Sequence, residues 1–253
     1  MLPHISIGNV KNILLVMSGK GGVGKSFISA SIAVALKELS YSVAIFDADI
    51  HGPSIPWILG IENTFLGVTV EGKIIPAEVN GIAIVSFELL LEHKEEPIAW
   101  RGPMKTRAIV EILSKTVWGS RDFLIIDMPP GVGDEHLTII HLLKPLIKGA
   151  ILVLTPGKLV EHIVKKAKKF LNEADIKLFG AILNMAYFQC PSCGKLHNLY
   201  GNYSIEDIEI LMKIPIKPGI SQAISEGKLL HYLYNNDSEL LNEFINLCKL
   251  ISK

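Results

Sequence analysis

A glycine-rich stretch constrains this chain more than any other feature of its sequence. Residues 19–26 read GKGGVGKS, and they lie between an apolar run at 13–17 and a segment, 26–40, with apolar residues at helical spacing. A continuous apolar run ended by glycine is typical of a strand that is buried on both faces of a parallel sheet. The sequence therefore predicts a strand, a glycine turn and a helix, in that order.

Further apolar segments repeat this arrangement along the chain. They are SVAIFDAD at 42–49, GIAIVSF at 81–87, FLIIDMPP at 123–130, GAILVLTP at 149–156 and KLFGAILNM at 177–185. Helical patterns lie between them, for example at 103–117 and 158–172. Strands that alternate with helices of this length predict a doubly wound, mostly parallel α/β sheet with helices on both faces. The polar stretch at 91–97 is interpreted as a loop, so we expect residues 1–253 to form a single domain.

Composition excludes several classes of function. Acidic and basic residues are equal in number, 25 each, and this balance argues against a general nucleic-acid binder, which needs a surplus of Lys and Arg. The first residues show no charged region followed by an apolar one, and no stretch reaches the roughly 18 apolar residues that span a bilayer. We therefore expect a cytoplasmic protein without a membrane partner. Three cysteines are too few for a disulfide framework.

The glycine-rich stretch matches the P-loop pattern and lies between a predicted strand and a predicted helix, which is the context that the motif requires. Its glycines allow backbone amides to turn toward phosphates, and the helix amino terminus adds a favourable partial charge. Lys25 is expected to reach the terminal phosphates, and the Ser26 hydroxyl to bind Mg²⁺. The predicted nucleotide-binding residues are Gly19, Lys20, Gly21, Gly22, Val23, Gly24, Lys25 and Ser26.

Carboxylates follow two of the predicted strands, where they can meet the P-loop. Asp127 closes an apolar strand, which is the form of a Walker B element that holds Mg²⁺ through its shell. Asp47 and Asp49 end the second strand, and their spacing of two places both on one side of it. Each acid alone could cap a helix, but strand ends that converge on a P-loop favour a metal and phosphate site.

The segment SGKGGVGKS, residues 18–26, resembles the deviant Walker A motif of the ATPase family that includes nitrogenase iron protein, MinD and the Mrp/ApbC-type ATPases. In that family the additional lysine, here Lys20, reaches across a dimer to the nucleotide of the partner. The resemblance therefore implies a homodimeric ATPase in which Lys20 and Lys25 are both catalytic. A lysine supplied in trans stabilises the charge that builds up on the transferred phosphoryl group.

Further segments are similar, in order, to those of Mrp/ApbC-type iron-sulfur cluster carriers: 47–60, 100–104, 123–138 and 183–194. The resemblance implies that Asp49 orients the attacking water and that Asp47 lies next to the Mg²⁺ shell. It also implies that Asn184 contacts adenine. The last segment discriminates between branches of the family, because MinD-type relatives carry no cysteine pair there.

The cysteine pair, Cys190 and Cys193, lies in a loop expected at about 187–203. Thiolates bind zinc and iron-sulfur clusters, and both sites usually take four ligands. One chain offers two, and a two-fold dimer, the commonest oligomer symmetry, would complete the set. We therefore expect a labile [4Fe-4S] cluster shared across a homodimer and passed to apo-proteins.

Alternatives remain open for the cysteines and for the whole chain. The pair could hold zinc, with His197 as a third ligand or with the partner's cysteines, and the protein would then be a zinc-stabilised nucleotide switch that acts by binding a partner. The pair could also form a redox disulfide. A MinD-like positioning ATPase would use a terminal amphipathic helix at membranes, and residues 238–253 are amphipathic. Their polar face lacks the rich cationic character of surface-seeking helices, so packing against the sheet is favoured, with Cys248 as a buried thiol.

Overall fold

The computed structural model describes residues 5, 7–90, 102–190, 192–201, 203 and 205–253. The predicted loop at 91–97, the first two residues of the 100–104 segment, and residues 191 and 202 of the cysteine loop lie outside this part of the chain. The strands are β1 Asn9–Ser18, β2 Val43–Asp47, β3 Gly67–Val68, β4 Ile74–Ile75, β5 Ala77–Val79, β6 Ile82–Ser86, β7 Ser120–Pro130, β8 Ile147–Leu154, β9 Leu178–Leu183, β10 Phe188–Gln189, β11 Leu196–His197 and β12 Ile210–Lys213.

The α-helices are α1 Lys25–Glu38, α2 Ile55–Leu59, α3 Gly102–Lys115, α4 Asp134–Leu143, α5 Val160–Glu173, α6 Pro218–Ser225, α7 Leu229–His231 and α8 Ser238–Ile251. Short 3₁₀ turns occupy Phe87–Leu90 and Lys144–Leu146, and a π-helical turn occupies Tyr232–Asn236. None of the helices in the described part of the chain combines the length and the apolar composition that crossing a bilayer needs.

Eight strands form one sheet in the order β12-β9-β8-β1-β7-β2-β6-β5. Every neighbouring pair is parallel except β5 with β6, so the predicted doubly wound, mostly parallel α/β sheet is confirmed. The chain runs outward from β1 in both directions, which makes the carboxyl end of β1 a point where the strand order reverses. Ligands bind at such points in open α/β sheets. The glycine-rich turn follows β1 at this edge.

Both faces of the sheet are covered, because each parallel strand needs helices on either side to bury its side chains. Helices α1, α2, α6 and α8 pack on one face, and α3, α4 and α5 pack on the other. Strand β12 lies at one sheet edge, parallel to β9, and the sequence analysis did not predict it. Only Met212 of its four residues is buried, so the local pattern is weak and pairing with β9 defines the strand.

Helix α8 packs mainly against α1, which covers the sheet on this side, with a smaller contact to the edge strand β12, and not mainly against the sheet as predicted; its apolar face is nevertheless buried within the fold. Its apolar stripe, formed by Leu240, Leu241, Phe244, Leu247, Cys248 and Ile251, is buried. The rings of Phe244 and Phe27 meet edge to face, with centroids 6.1 Å apart. Cys248 is fully buried as predicted, and this burial raises the pKa of its thiol to about 12.

Candidate functional site

The glycine-rich turn leads directly into α1, whose first residue is Lys25. Gly24 precedes it with φ of 83°, in the left-handed region that side chains rarely adopt. A Cβ on Gly24 would also lie 2.3 Å from Nδ2 of Asn184, so both the backbone conformation and the available space require glycine here. The turn thereby brings its backbone close to the carboxyl end of β9.

Asn184, directly after β9, holds the glycine-rich turn in place. Its Nδ2 donates to the carbonyl oxygen of Val23 at 2.9 Å, and its Oδ1 accepts from the backbone N–H of Met185 at 3.0 Å. The residue is 5 % exposed, so these contacts satisfy a polar side chain that lies within the protein. The structure thus ties Asn184 to the phosphate loop, and its predicted contact to adenine stays a prediction.

Asp127 connects the end of β7 to α1 through three hydrogen bonds. Its Oδ2 accepts from Nζ of Lys25 at 2.7 Å and from Oγ of Ser26 at 2.6 Å. Its Oδ1 accepts from Oγ of Ser29, also at 2.6 Å. The carboxylate is fully buried, so it cannot exchange these partners for water, and its charge-assisted hydrogen bonds are strong. The structure therefore brings together Lys25, Ser26 and Asp127, the residues expected to hold phosphate and Mg²⁺.

Ser29 was missed by the sequence analysis. It lies one helical turn after Lys25, on the same side of α1, and it is completely buried. The sequence offered only a weak signal for Ser29, because α1 also contains Ser31, which is equally buried but has no hydrogen-bond partner among the described residues.

Asp47 anchors the segment between β2 and α2. Its Oδ2 accepts from the backbone N–H groups of Ser54 at 3.0 Å and Ile55 at 3.1 Å, and from Oγ of Ser86 at 3.3 Å. Its Oδ1 accepts from the backbone N–H of Asp49 at 3.3 Å. Burial, followed by the neighbouring negative charge of Asp127, raises the pKa of Asp47 to about 8. Asp47 therefore fixes the start of α2, and its predicted place beside the Mg²⁺ shell stays a prediction.

Ser54 joins this segment to the phosphate loop, and the sequence analysis did not single it out. Its hydroxyl lies 2.9 Å from Oγ of Ser26. Because Ser26 donates its own proton to Asp127, Ser54 must be the donor in this pair. The hydroxyl proton of Ser26 thus points at Asp127, and a lone pair of its oxygen stays available. The signal in the sequence was a serine directly before a helix with proline in its first turn.

Most of the remaining predicted phosphate-site residues line one cleft, formed by Ser18, Lys20–Phe27, Asp49, Gly52, Ser54, Trp57, Ile58, Pro130 and Ile224. Gly19 lies instead in a neighbouring pocket against Ile163, so its predicted contact to nucleotide stays a prediction. Oδ1 of Asp49 accepts from the backbone N–H groups of His51 and Gly52, at 3.2 Å each, which orients the carboxylate at the cleft wall. The Lys20 side chain is exposed. Among the described residues it forms no ion pair, so its ammonium group is free to meet an external anion.

The donor set at the base of this cleft fits Mg²⁺. Mg²⁺ prefers oxygen ligands and keeps several waters, with one or two protein oxygens and phosphate oxygens completing its shell. The Ser26 oxygen offers a lone pair, and Asp127 holds the Ser26 hydroxyl and lies at the same point. Ser26 is therefore suited to bind Mg²⁺ directly, and Asp127 is suited to contact the water shell of the ion.

The cysteine loop follows β9 at the same edge of the sheet. The backbone N–H of Cys190 donates to Lys195 O at 3.0 Å, and the N–H of Gly194 donates back to Cys190 O at 2.8 Å. Backbone N–H groups of Ser192 and Cys193 reach the sulfur of Cys190 and lower its pKa. Cys190 is partly exposed and Cys193 is exposed, so this tight turn presents both thiols outward and favours the thiolate form of Cys190.

Among the described residues of the cysteine loop, no His, Asp or Glu joins the two cysteines as a third metal ligand. His197 lies on β11 opposite Phe188, with ring centroids 6.4 Å apart. Within the described residues, no three side chains of His, Cys, Asp or Glu converge in a group that could hold a metal ion. One chain therefore presents a pair of sulfur ligands.

Comparison with curated proteins identifies relatives along the whole chain. It is 38% identical over 259 residues to "Iron-sulfur cluster carrier protein" of Aquifex aeolicus, covering 100% of this chain and 70% of that protein. It is 36% identical over 231 residues to "Cytosolic Fe-S cluster assembly factor Nubp2 homolog" of Anopheles gambiae, covering 88% of this chain and 89% of the relative.

Comparison with solved structures and with family models points to the same kind of protein as these relatives. A nucleotide-binding protein of Archaeoglobus fulgidus in complex with ADP, with Co also found, is 34% identical with a TM-score of 0.76, covering 88% of this chain and 89% of that one. MinD of Pyrococcus horikoshii, complexed with Mg-ADP, is 22% identical with a TM-score of 0.65, covering 96% of each chain, which shows a shared fold alone. A model described as "NUBPL iron-transfer P-loop NTPase" matches residues 9–252, and the chain therefore belongs to this ParA-type family of iron-transfer P-loop NTPases.

Proposed function

We propose that this protein is an ATP-hydrolysing iron-sulfur cluster carrier. It holds a labile [4Fe-4S] cluster between two copies of the Cys190–Cys193 pair in a homodimer and passes it to apo-proteins. The observation that carries the proposal is the cysteine turn, which presents two thiols outward without a third ligand among the described residues. The names of relatives as iron-sulfur cluster carrier and cytosolic assembly factor support the role, and a cytoplasmic location with it.

The two-fold arrangement follows from ligand number. A [4Fe-4S] cluster takes four cysteine ligands, one for each iron, and two copies of a two-cysteine turn supply them. The same two-fold closure would place Lys20 of each subunit near the nucleotide of the other. The cysteine pair and Lys20 therefore both support the proposed two-fold assembly.

Hydrolysis uses groups at the base and mouth of the cleft. Lys25 has three N–H donors, and one is directed to Asp127, so the others can meet phosphate oxygens. Asp49 lies at the cleft wall with Oδ1 held by two backbone N–H groups, and its proposed role is to orient the attacking water. Ser26 would hold Mg²⁺, with Asp127 acting through its shell, and the bound ion would supply positive charge next to the phosphates. Lys20 of the second subunit adds positive charge at the transferred group.

The positioning-ATPase alternative is not favoured. The apolar stripe of α8, which would have to meet a membrane, is buried against the rest of the fold. The likeness to MinD is a likeness of fold at 22% identity.

The test is metal analysis of the full chain after anaerobic reconstitution. We expect about four irons and four acid-labile sulfides per dimer in the native protein, and loss of both in Cys193→Ala. Cys248→Ala is the matched control, because Cys248 is a buried thiol away from the loop and should keep the cluster. Tightly held zinc, with no cluster formed after its removal, would overturn the carrier role and identify a zinc-stabilised nucleotide switch.

A further inference from the structure

Helix α6 contacts both candidate sites. Its first residue, Pro218, lines a groove beside Cys190, together with Pro215–Lys217 just before it. Ile224, in its last turn, lines the nucleotide cleft opposite the phosphate loop. The helix has eight residues, and eight residues of α-helix are about 12 Å long. One short rigid element therefore spans the distance between the nucleotide cleft and the cysteine loop.

At the cleft, α6 has α2 as its neighbour, and α2 is tied to the phosphate site. Ser54 precedes α2, donates its hydroxyl to Ser26 and its backbone N–H to Asp47. Trp57 and Ile58 of α2 line the same cleft as Ile224. A displacement of the segment between β2 and α2 would therefore displace α2 as well.

Between α2 and α6 the two backbones touch directly. Gly60 ends α2 with φ of 70°, and Gly227 follows α6 with φ of 65°. A Cβ on Gly227 would lie 2.7 Å from Cα of Gly60, and a Cβ on Gly60 would lie 2.5 Å from the carbonyl oxygen of Gly227. No side chain lies between them to absorb a displacement, so movement of one helix end must move the other.

At its other end, α6 is joined to the chain that leads into the cysteine turn. The backbone N–H of Ile216 donates to Tyr187 O at 2.7 Å, and the N–H of Ala186 donates to Ile214 O at 2.8 Å. Phe188 and Ile216 form a parallel bridge beside the same groove. Residues 214–216, shortly before α6, are thus joined by these backbone contacts to residues 186–188, shortly before Cys190.

We propose that α6 couples the nucleotide cleft to the cysteine loop. Nucleotide binding shifts α2, the Gly60–Gly227 contact passes the shift to α6, and the reactivity of Cys190 and Cys193 changes. Because binding linkage is reciprocal, ligation of the cysteines would change nucleotide affinity by the same factor. The biological meaning of this coupling rests on the proposed carrier function, but the coupling itself requires no cluster.

The experiment measures alkylation of the two thiols in the cluster-free full chain. Iodoacetamide is the probe, and mass spectrometry follows Cys190 and Cys193 with and without a saturating Mg²⁺ complex of a non-hydrolysable ATP analogue. We expect the analogue to change the native rate by about fivefold or more, the lower range of allosteric coupling. Gly227→Ala should lose most of this change. Gly72→Ala is the control, because Gly72 also has positive φ, 75°, but its added Cβ would meet nothing within 4 Å.

If Gly227→Ala does not fold, a second pair of variants tests whether α6 couples the two sites. Ile224→Ala shortens the side chain at the cleft end of α6, and Ile147→Ala removes the same atoms from a half-buried isoleucine at the start of β8. A binding titration gives the analogue concentration at which each variant has the same nucleotide occupancy. Light scattering verifies that the samples compared have the same oligomeric state.

A native rate that does not respond to the analogue would overturn the coupling. So would a full native response in Gly227→Ala or, where that variant does not fold, in Ile224→Ala. Since the chain carries no cluster here, these outcomes leave the iron and sulfide analysis unaffected, and a failed reconstitution leaves these outcomes readable.

Discussion

Asp127 organises the phosphate site through contacts with three residues of α1. Lys25, Ser26 and Ser29 all donate to this one buried carboxylate. A buried ion pair is costly to break, because removing one partner leaves an uncompensated charge in the interior. The amino-terminal turn of α1 is therefore held to the end of β7 independently of packing, and the Ser26 hydroxyl is oriented before any ligand arrives.

Ser54 orients Ser26 from the other side, and its removal should weaken binding of the metal-nucleotide complex. We expect Ser54→Ala to lower affinity for Mg²⁺-ATP by about fivefold, corresponding to one hydrogen bond of about 1 kcal/mol. Titration with a fluorescent ATP analogue, with Mg²⁺ and with EDTA, measures the effect. Ser54→Thr keeps a hydroxyl and should retain most of the affinity. An equal loss of affinity with and without Mg²⁺ would contradict an effect on the metal site.

His136 should make stability depend on pH. Its ring is 1 % exposed, and burial, opposed in part by the charge of Glu135, lowers its pKa from 6.5 to about 4. The carbonyl of Pro129 lies near the ring without a regular hydrogen bond. The unfolded chain then binds the proton more tightly, so this contribution is complete above pH 6.5 and is lost as pH falls toward 4.

Urea denaturation between pH 7.5 and 4.5 measures this dependence. The expected loss that His136 causes is at most about 3 kcal/mol. His136→Leu should have a flatter profile than the native chain, whereas His162→Leu, at an exposed position, should not differ from it. Parallel profiles for the native chain and His136→Leu would exclude this histidine as the cause.

At the scale of elements, α8 shows why an amphipathic pattern needs tertiary context. The same stripe of apolar residues could meet a membrane or a protein core. The opposite, polar face has few basic residues, and this favoured the core over a membrane. The structure confirms this, since α8 lies along α1 with Phe244 fully buried. Asp237 caps the helix by accepting from the backbone N–H of Leu240 at 3.2 Å, which fixes where it begins.

Truncation within this stripe should be costly. We expect Phe244→Ala to lower the free energy of unfolding by about 3 to 5 kcal/mol, because it leaves a cavity between α8 and α1. Leu250→Ala on the same helix removes a side chain that is 65 % exposed, and it should change stability by about 0.5 kcal/mol or less. Chemical denaturation compares the two variants. Equal, small effects would mean that α8 does not contribute to the core in solution.

At the scale of the whole molecule, the proposed trans role of Lys20 makes activity a property of the dimer. Lys20→Ala should bind nucleotide but hydrolyse it slowly, because its expected target is the partner's transition state. Lys25→Ala should lose binding in its own cleft while still offering Lys20 to a partner. Neither variant alone is expected to have substantial activity.

Mixing the two variants tests this directly. One site of each mixed dimer has an intact Lys25 and a partner Lys20, so equal mixing should restore up to about a quarter of native turnover by two-fold statistics. Phosphate release after mixing is the measurement. Activity of the mixture that equals the mean of the separate variants would contradict a trans role for Lys20.

Much of this protein could be predicted from short segments of its chain. The P-loop, the strand end at Asp127 and the apolar strands are local patterns, and local sequence is sufficient to predict a mostly parallel α/β sheet with a phosphate site at one edge. The cysteine pair is equally local, because its spacing alone indicates a metal-binding turn. Resemblance along the chain then indicated the iron-sulfur carrier branch of the family.

The sequence by itself therefore determined the fold class, the edge of the sheet that carries the phosphate loop, and the pair of thiols. Only the tertiary structure decided that Ser29 and Ser54 complete the hydrogen bonds around Ser26 and Asp127, and that α6 lies between the cleft and the cysteine loop. The physical reason is the separation along the chain. Ser54 and Asp127, or Gly60 and Gly227, meet only because the sheet and its helices pack, and no local pattern records such a contact.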